Sequence, residues 1–273
     1  KLSTKTEIFT KTSGTKNWLS CVYDPNQIKK QGNFDINLNH DKQPPIDNTL
    51  FDNDSGLVLI IYLSNDAESK FSSSKYRNVN LRNQIAKIYS YSIRTSVPGL
   101  SGVFASHPNN KYKIFIDEEE VRPYLPCIWD EKRTVKRARE EVPAVETFKF
   151  DLAIQKKCNE CGKINPENSF ECNNCNSNNL DTFDATLWGW IGIQRHLHED
   201  HFGFDFIRNG RKILINNKEL FKYTDDNNNT QIEYPVEMPA NRGRIVGEIH
   251  CDFLTPTAVK TDFERNERNW YEL

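Results

Sequence analysis

The sequence has no uninterrupted apolar run of about 18 residues and no positively flanked apolar leader. It therefore shows neither a membrane-spanning helix nor a secretory signal, and we expect no membrane partner. It also lacks G-x-x-x-x-G-K-[ST] and G-x-G-x-x-G, so the two common phosphate-binding loops are excluded. A formal net charge of −2 leaves no overall basic excess, so any nucleic-acid contact has to be a local patch.

Methionine is scarce, and the cysteines are unevenly spaced. The chain begins at Lys1 and its single methionine is Met238, so we expect a part of the protein to lie upstream. The seven cysteines are an odd number, and four of them fall in paired metal spacing. This combination favours a reducing compartment over a disulfide framework, and we therefore expect a cytoplasmic protein.

The composition, 37% hydrophobic and 27% charged, is that of a globular and rather polar chain with one large domain or two smaller ones. Gly56 to Leu63 is apolar on both alternating faces, which predicts a strand buried in the middle of a sheet. Asn80 to Thr95 carries apolar residues at helical spacing, and Pro98 and Gly99 end this predicted helix.

Strands dominate the remaining pattern, and the chain is predicted to be α+β. Two strands flank the cysteines, and an Asn-Gly turn predicts a hairpin further along. The segment from Pro256 to Trp270 is predicted to be a helix with proline in its first turn. The predicted strands and hairpin are Thr4 to Thr12, Asn17 to Tyr23, Phe34 to Asn39, Lys111 to Val121, Glu146 to Ile154, Thr186 to Gln194, Gly203 to Leu214 and Gly243 to Phe253.

Two Cys-x-x-Cys pairs match the arrangement of a zinc ribbon. Each pair forms a tight knuckle, and two knuckles close a tetrahedron around one Zn²⁺. Four thiolates leave no open position, so we expect a structural site in an insert over residues 155–182. The ligands are Cys158, Cys161, Cys172 and Cys175, and Gly162 eases the first knuckle.

The role of the ribbon has two interpretations. Either the metal acts only as a staple that stabilises a small insert with little hydrophobic core, or the ribbon contacts nucleic acid or protein. Its charges favour the staple, because its lysines are offset by as many glutamates. These residues are Lys156, Lys157, Lys163, Glu160, Glu167 and Glu171.

Two further clusters are candidate sites. Four basic residues, Lys132, Arg133, Lys136 and Arg137, form either a solvated helical face or a DNA-backbone contact. The histidines of "HLHEDH", His196, His198 and His201, do not share one face of a strand or a helix. For these three residues the spacing favours an exposed loop over a metal site.

The C-terminal third carries a family resemblance. "GFDFIRNGRKI", starting at Gly203, followed by "GRIVGEIHCDFLTPTAVKTDFERN", starting at Gly243, resembles the transducer domain of the GHKL ATPases. This superfamily contains gyrase-type topoisomerases, MutL mismatch-repair proteins, heat-shock chaperone ATPases and MORC proteins, and the likeness is greatest to MORC-like bacterial ATPases. The family's Lys-x-x-Phe segment corresponds to Lys260 to Phe263. Gly56 matches the glycine of its Gly-Thr motif, although the threonine is Leu57 here.

The resemblance implies a fold and an activity. Residues 1–66 would be the C-terminal strands of a Bergerat-type ATPase sheet, and residues 67–273 an S5-like transducer domain that carries the ribbon. The transducer would couple ATP binding and hydrolysis to conformational change on DNA. Lys260 would contact the γ-phosphate, and Gly56 would lie in the nucleotide site.

The resemblance also implies partners. The family binds Mg²⁺ and ATP through an N-terminal helix with Glu and Asn, an Asp-x-Gly-x-Gly turn and a glycine-rich lid, none of which lies in these residues. This chain would need a missing N-terminal ATPase half, would be inactive alone, and would form a homodimer in the intact protein. The alternative is a non-enzymatic zinc-ribbon protein that binds nucleic acid or acts as an adaptor.

Overall fold

The computed structural model describes residues 2–40, 42–45, 55–95, 113–137, 139–232, 242–267 and 270. The chain forms two compact units, Lys1–Asn80 and Leu81–Leu273. Strands dominate over helices in the described ranges, so the α+β prediction is confirmed. None of the described helices has both the length and the apolar character needed to cross a membrane.

The first unit contains a four-stranded sheet in the order β3-β2-β1-β4. Helix α1 begins where the Asp24 carboxylate accepts the N–H groups of Asn26 and Gln27, and it ends at Gly32, whose φ is 71°. The elements are β1 Ser3–Lys11, β2 Leu19–Tyr23, α1 Pro25–Gln31, β3 Leu38–Asn39, β4 Gly56–Leu63 and α2 Asn65–Phe71, followed by a π-helical turn at Tyr76–Leu81.

Strand β4 is not in the middle of the sheet, so that prediction was wrong. Among the described strands it pairs only with β1. Val58 packs against Phe9 and Trp18, while Leu57 and Leu59, on the opposite face, are 59% and 51% exposed. The apolar run therefore reflects one buried face and one uncovered apolar face.

The second unit has a six-stranded sheet in the order β10-β9-β11-β16-β12-β13, in which only β12 and β16 run parallel. Its elements are α3 Arg82–Ile88, α4 Ser90–Ile93, β5 Phe115–Ile116, β6 Glu119–Glu120, β7 Thr134–Arg137, β8 Glu140–Pro143, β9 Val145–Cys158, β10 Ile164–Pro166, β11 Leu180–His198, β12 Gly203–Arg208, β13 Arg211–Asn217, a 3-10 turn Glu219–Phe221, β14 Lys222–Thr224, β15 Thr230–Ile232 and β16 Gly243–His250.

Several predicted elements are confirmed. The two strands that flank the cysteines pair with each other as β9 and β11. The predicted hairpin is β12–β13, and its turn residues Asn209 and Gly210 have φ of 47° and 79°. The helix predicted over Asn80 to Thr95 is present but interrupted at Tyr89, which separates α3 from α4.

The helix predicted over Pro256 to Trp270 and the helical face suggested for the basic residues are both corrected by the structure. Within the charged segment the chain forms a turn and then the hairpin of β7 and β8, with Arg139 at a φ of 83° in the turn of that hairpin. Residues 256–267 form a loop and turns, and Pro256 pairs with Phe263 across the loop. Val259 is 73% exposed whereas Phe263 is 2% exposed, so these two apolar residues, which are spaced for one face of a helix, are not buried together.

A buried ionic cluster joins α4 to the sheet. Nη1 of Arg94, the residue that follows α4, lies 2.9 and 2.8 Å from the two carboxylate oxygens of Glu248. The indole N–H of Trp190 donates to the same carboxylate over 3.0 Å, and Nζ of Lys212 lies 3.1 Å from it. Lys212 also pairs with Asp205, so each buried charge has an opposite partner.

Candidate metal centre

The cysteines lie at the end of a β-arm. Strand β16 pairs with β11 at residues 188–193 and 198, whereas β9 follows β11 as far as the pair Cys158 and Leu180. Between Leu187 and Leu180 the arm extends by roughly 24 Å at about 3.4 Å per residue. The long pairing of β9 with β11 therefore carries the cysteines away from the broad part of the sheet.

The first knuckle is closed by two backbone hydrogen bonds. The N–H of Cys158 donates to the carbonyl of Lys163 over 2.9 Å, and the N–H of Gly162 donates to the carbonyl of Cys158 over 2.8 Å. Gly162 has a φ of 75°, which glycine adopts without steric cost. The expected role of this glycine is confirmed by its backbone conformation.

The second knuckle repeats this pattern. The N–H of Cys172 donates to the carbonyl of Ser177, and the N–H of Asn176 donates to the carbonyl of Cys172, each over 2.9 Å. Asn176 occupies the position equivalent to Gly162 and also has a positive φ, 57°. Asparagine tolerates this conformation better than most residues, so the two knuckles have one backbone design with different residues at the turn.

The two knuckles bring their thiols together. The four sulfur atoms lie within 4.8 Å of one another, with 3.6 Å between Cys158 and Cys175 and 3.5 Å between Cys161 and Cys172. A tetrahedron with metal–sulfur bonds of about 2.3 Å needs sulfur separations of about 3.8 Å. The cluster could therefore hold a metal ion such as zinc.

Polar groups around Cys172 favour its thiolate. Burial opposes ionisation, but the N–H groups of Asn174 and Cys175 point at the sulfur and bring the pKa of Cys172 to about 6. Asn165, which is only 2% exposed, donates to the sulfur over 3.7 Å and accepts the N–H of Asn173 over 2.9 Å. Sequence reasoning missed Asn165, because nothing in the spacing of the cysteines indicates a supporting amide.

The pKa values of Cys161 and Cys175 shift in opposite directions. The N–H of Lys163, together with Asn174, lowers the pKa of Cys161. For Cys175 the N–H of Ser177 favours the thiolate, but the contact with Cys161, burial and the contacts with the other two thiols together outweigh it, and the pKa rises to about 12. Thiols this close together therefore do not all lose their protons when no metal is bound. A divalent cation would offset the negative charge of four thiolates.

Lys260 lies at the exposed tip of the Pro256–Phe263 loop. Its N–H donates to the carbonyl of Thr257 over 2.8 Å, and its φ is 56°. Within the described ranges its amine makes no hydrogen bond and no ion pair. The base of the loop is anchored, because Phe263 is 2% exposed and packs against Phe206. Gly56, the other predicted nucleotide contact, lies in the first unit as the first residue of β4.

Part of the basic cluster lies opposite acidic residues in its own hairpin. In the register of β7 and β8, Lys136 pairs with Glu141 and Arg137 with Glu140. Lys136 and Glu141 are therefore close enough for opposite charges to attract. Lys132 is exposed in the preceding turn. The attraction of the cluster for DNA phosphates is therefore weaker at its hairpin residues.

Arg133 has a different setting. Its guanidinium lies 4.0 Å from the centre of the Trp129 ring, and the guanidinium of Arg195 lies 5.1 Å from it. Both arginines are exposed. Arg195 was not predicted, because it is distant in sequence and reaches Trp129 only through the bridge between Ile128 and Gln194.

The histidines were predicted to form an exposed loop, and the structure corrects this in part, because His196 and His198 are exposed but lie in a strand and His201 is half-buried in a bend. His196 and His198 belong to β11, and the rings of His198 and His201 stack with their centres 4.0 Å apart. The ring nitrogens of the half-buried His201 lie 3.1 Å from the Tyr124 hydroxyl and 3.1 Å from the Lys87 amine. Burial and the Lys87 charge lower its pKa. Among the described residues the cysteines form the one group with metal-ligand geometry.

No family model matches the chain, and no curated protein matches it. The likeness to the GHKL transducer therefore stays a hypothesis that depends on the two motifs starting at Gly203 and Gly243.

Proposed function

We propose that this chain is the transducer-bearing part of a GHKL-type ATPase of the MORC-like kind, in which ATP binding and hydrolysis drive conformational change on DNA. The observation that supports the proposal best is the setting of Lys260. The amine has no partner in the described ranges, and it is held on a loop whose base is anchored by the buried Phe263. This arrangement suits a cation that is presented to an external anion.

The chemistry of phosphoryl transfer needs such a cation. Charge builds up on the phosphoryl oxygens and the leaving group, and a fixed cation stabilises it. A lysine from a second domain contacts the γ-phosphate only when the domains close, so phosphate release favours opening. In this proposal Gly56 lies beside the nucleotide, an upstream half supplies the Mg²⁺ and ATP site, and the intact protein is a homodimer.

Zinc is the metal proposed for the cysteine cluster. Four thiolates in a tetrahedral arrangement suit Zn²⁺ and leave no position for a substrate or water. The metal would hold the two knuckles together at the end of the arm. Its role in this proposal is structural rather than catalytic.

The first test is the substitution Lys260→Ala in the gene product that contains this chain. Because the amine would balance charge in the transition state, ATP turnover is expected to fall at least tenfold. Lys222→Ala changes another exposed lysine of the same unit and serves as the control. Unchanged turnover in Lys260→Ala, or a gene product without upstream Glu, Asn and Asp-x-Gly-x-Gly motifs, would contradict the proposal.

A second variant, Lys260→Gly, separates catalysis from folding. Glycine adopts the φ of 56° without the cost that a side chain incurs. The free energy of unfolding is therefore expected to rise by about 0.5 to 1 kcal/mol, while turnover falls as it does in Lys260→Ala. Loss of turnover in a more stable protein would exclude misfolding as its cause.

A further inference from the structure

We propose that Lys163 and Glu267 couple the cysteine centre to the Lys260 loop. Lys163 belongs to the first knuckle, and Glu267 belongs to the segment that closes the loop. They are positioning residues, and their relevance to ATP turnover rests on the function proposed above. The contacts that link the two sites form three steps.

The first step connects the metal ligands to Lys163. Its carbonyl accepts the N–H of Cys158 over 2.9 Å, and its own N–H points at the sulfur of Cys161. Both partners are predicted ligands, so the backbone of Lys163 is fixed when the knuckle is closed. When the metal is removed, only the hydrogen bonds of the knuckle maintain that geometry.

The second step is an ion pair between the ribbon and the C-terminal segment. The Lys163 amine lies 2.8 Å from a carboxylate oxygen of Glu267. The side chains are 43% and 23% exposed, so water screens the pair only in part. A partly exposed pair of this kind changes an equilibrium constant by about fivefold or less.

The third step connects Glu267 to the loop base. The N–H of Glu267 donates to the carbonyl of Glu264 over 3.1 Å, and the N–H of Glu264 donates to the carbonyl of Thr255 over 2.8 Å. The Glu267 side chain also bonds to Thr255. Thr255 and Glu264 directly flank the bridge between Pro256 and Phe263. Glu267 therefore contacts both of the chain segments that form the base of the loop.

Other contacts limit the size of the coupling. Arg265 pairs with Asp262 over 3.1 Å and with Glu219 over 2.8 Å, and neither contact involves the ribbon. Loss of the metal should therefore loosen the loop base without unfolding it. The cysteine centre in this view sets how firmly Lys260 is held, in addition to stapling the insert.

Hydrogen exchange on the 273-residue chain tests the coupling. The backbone N–H groups of Thr257, Lys260 and Glu264 all donate within the loop and report its opening. We expect removal of zinc by a chelator to raise their exchange rates about two- to fivefold. The zinc-loaded variant Lys163→Met should show the same increase, and its exchange should no longer respond to the chelator.

The matched control is Lys157→Met, an exposed lysine at the start of the ribbon that makes no ion pair in the described ranges. It should keep wild-type exchange, and zinc content is measured in every sample. The charge-swapped pair Lys163→Glu with Glu267→Lys should restore slow exchange. Slow exchange that persists after zinc removal, or in zinc-loaded Lys163→Met, would overturn the coupling.

The outcomes separate this inference from the proposed function. Hydrogen exchange needs neither nucleotide nor an upstream half, so the coupling can hold even if Lys260→Ala leaves turnover unchanged. Conversely, turnover can depend on Lys260 even if removal of the metal leaves the hydrogen exchange of the loop unchanged. Each result therefore counts against only one of the two proposals.

Discussion

Glu248 keeps a negative charge inside the second unit because cations and a donor surround it. Burial alone favours the protonated acid, but the charges of Lys212 and Arg94, with the indole N–H of Trp190, lower the pKa of Glu248 to about 2. Its side chain is only 2% exposed. The cluster is therefore stable only as a complete set of charges.

The substitution Glu248→Gln tests this dependence. It leaves Arg94 without its carboxylate and Lys212 with Asp205 alone, and removal of one partner from a buried pair costs about 3 to 5 kcal/mol. We expect the free energy of unfolding in urea at pH 7 to fall by that amount. Glu146→Gln, which changes an exposed glutamate, should stay within about 0.5 kcal/mol of the wild type.

The same carboxylate gives the protein a pH dependence. The pKa of Glu248 is about 2 in the folded state and 4.5 ordinarily, so the unfolded state binds the proton more readily. Stability is therefore fully present above about pH 4.5 and decreases as the pH falls toward 2. The decrease should be shallower in Glu248→Gln, and parallel curves for the two proteins would contradict this assignment.

At the scale of elements, the two knuckles were readable from sequence because each is local. A Cys-x-x-Cys pair and the turn after it need only five or six residues to form, and Gly162 already indicates the positive φ. The two strands that flank the insert were also predicted, and the structure pairs them as β9 and β11. The long arm that they form was not predicted, because its length depends on where β16 stops pairing.

Zinc content tests the cysteine centre. Cys161→Ser removes one exposed ligand and should leave the purified chain with well under one zinc per molecule by atomic emission. Cys127→Ser changes an exposed cysteine outside the cluster and should keep one zinc. Little zinc in the wild-type chain, together with disulfides within each Cys-x-x-Cys pair, would contradict the site.

The mispredicted elements share a physical cause. The run Gly56 to Leu63 has apolar residues on both faces, which suits a central strand, yet the described sheet places it at an edge. Residues 130–141 are rich in charge, which suits a helix as well as a hairpin with paired charges. In both cases local pattern left two structures open, and the choice depended on partners distant in sequence.

For the whole molecule, a net charge of −2 argues against general attraction to nucleic acid. A zinc-ribbon adaptor that binds nucleic acid is the second candidate function, and one surface favours it. Arg133 and Arg195 lie over Trp129 with no acidic partner in the described ranges, and Lys132 is adjacent. Stacked guanidinium groups keep N–H donors that can bind phosphate.

Salt-dependent DNA binding tests this surface. Replacing both Arg133 and Arg195 by alanine should weaken binding uniformly across sequences and reduce the salt slope by about 2. Lys136→Ala is the control, because Glu141 already faces that lysine across the hairpin. Equal loss of affinity in the control and in the double variant would show that no local site exists.

The sequence by itself determined the local features: the two knuckles, the Asn209-Gly210 hairpin, the strands around the insert and the α+β class. Each depends on residues a few positions apart. Only the tertiary structure decided that β4 lies at an edge of the described sheet, that Lys260 lies at the tip of an anchored loop, and that Arg195 joins Arg133 at Trp129. These features depend on contacts between distant segments, whose energies no short stretch of sequence contains.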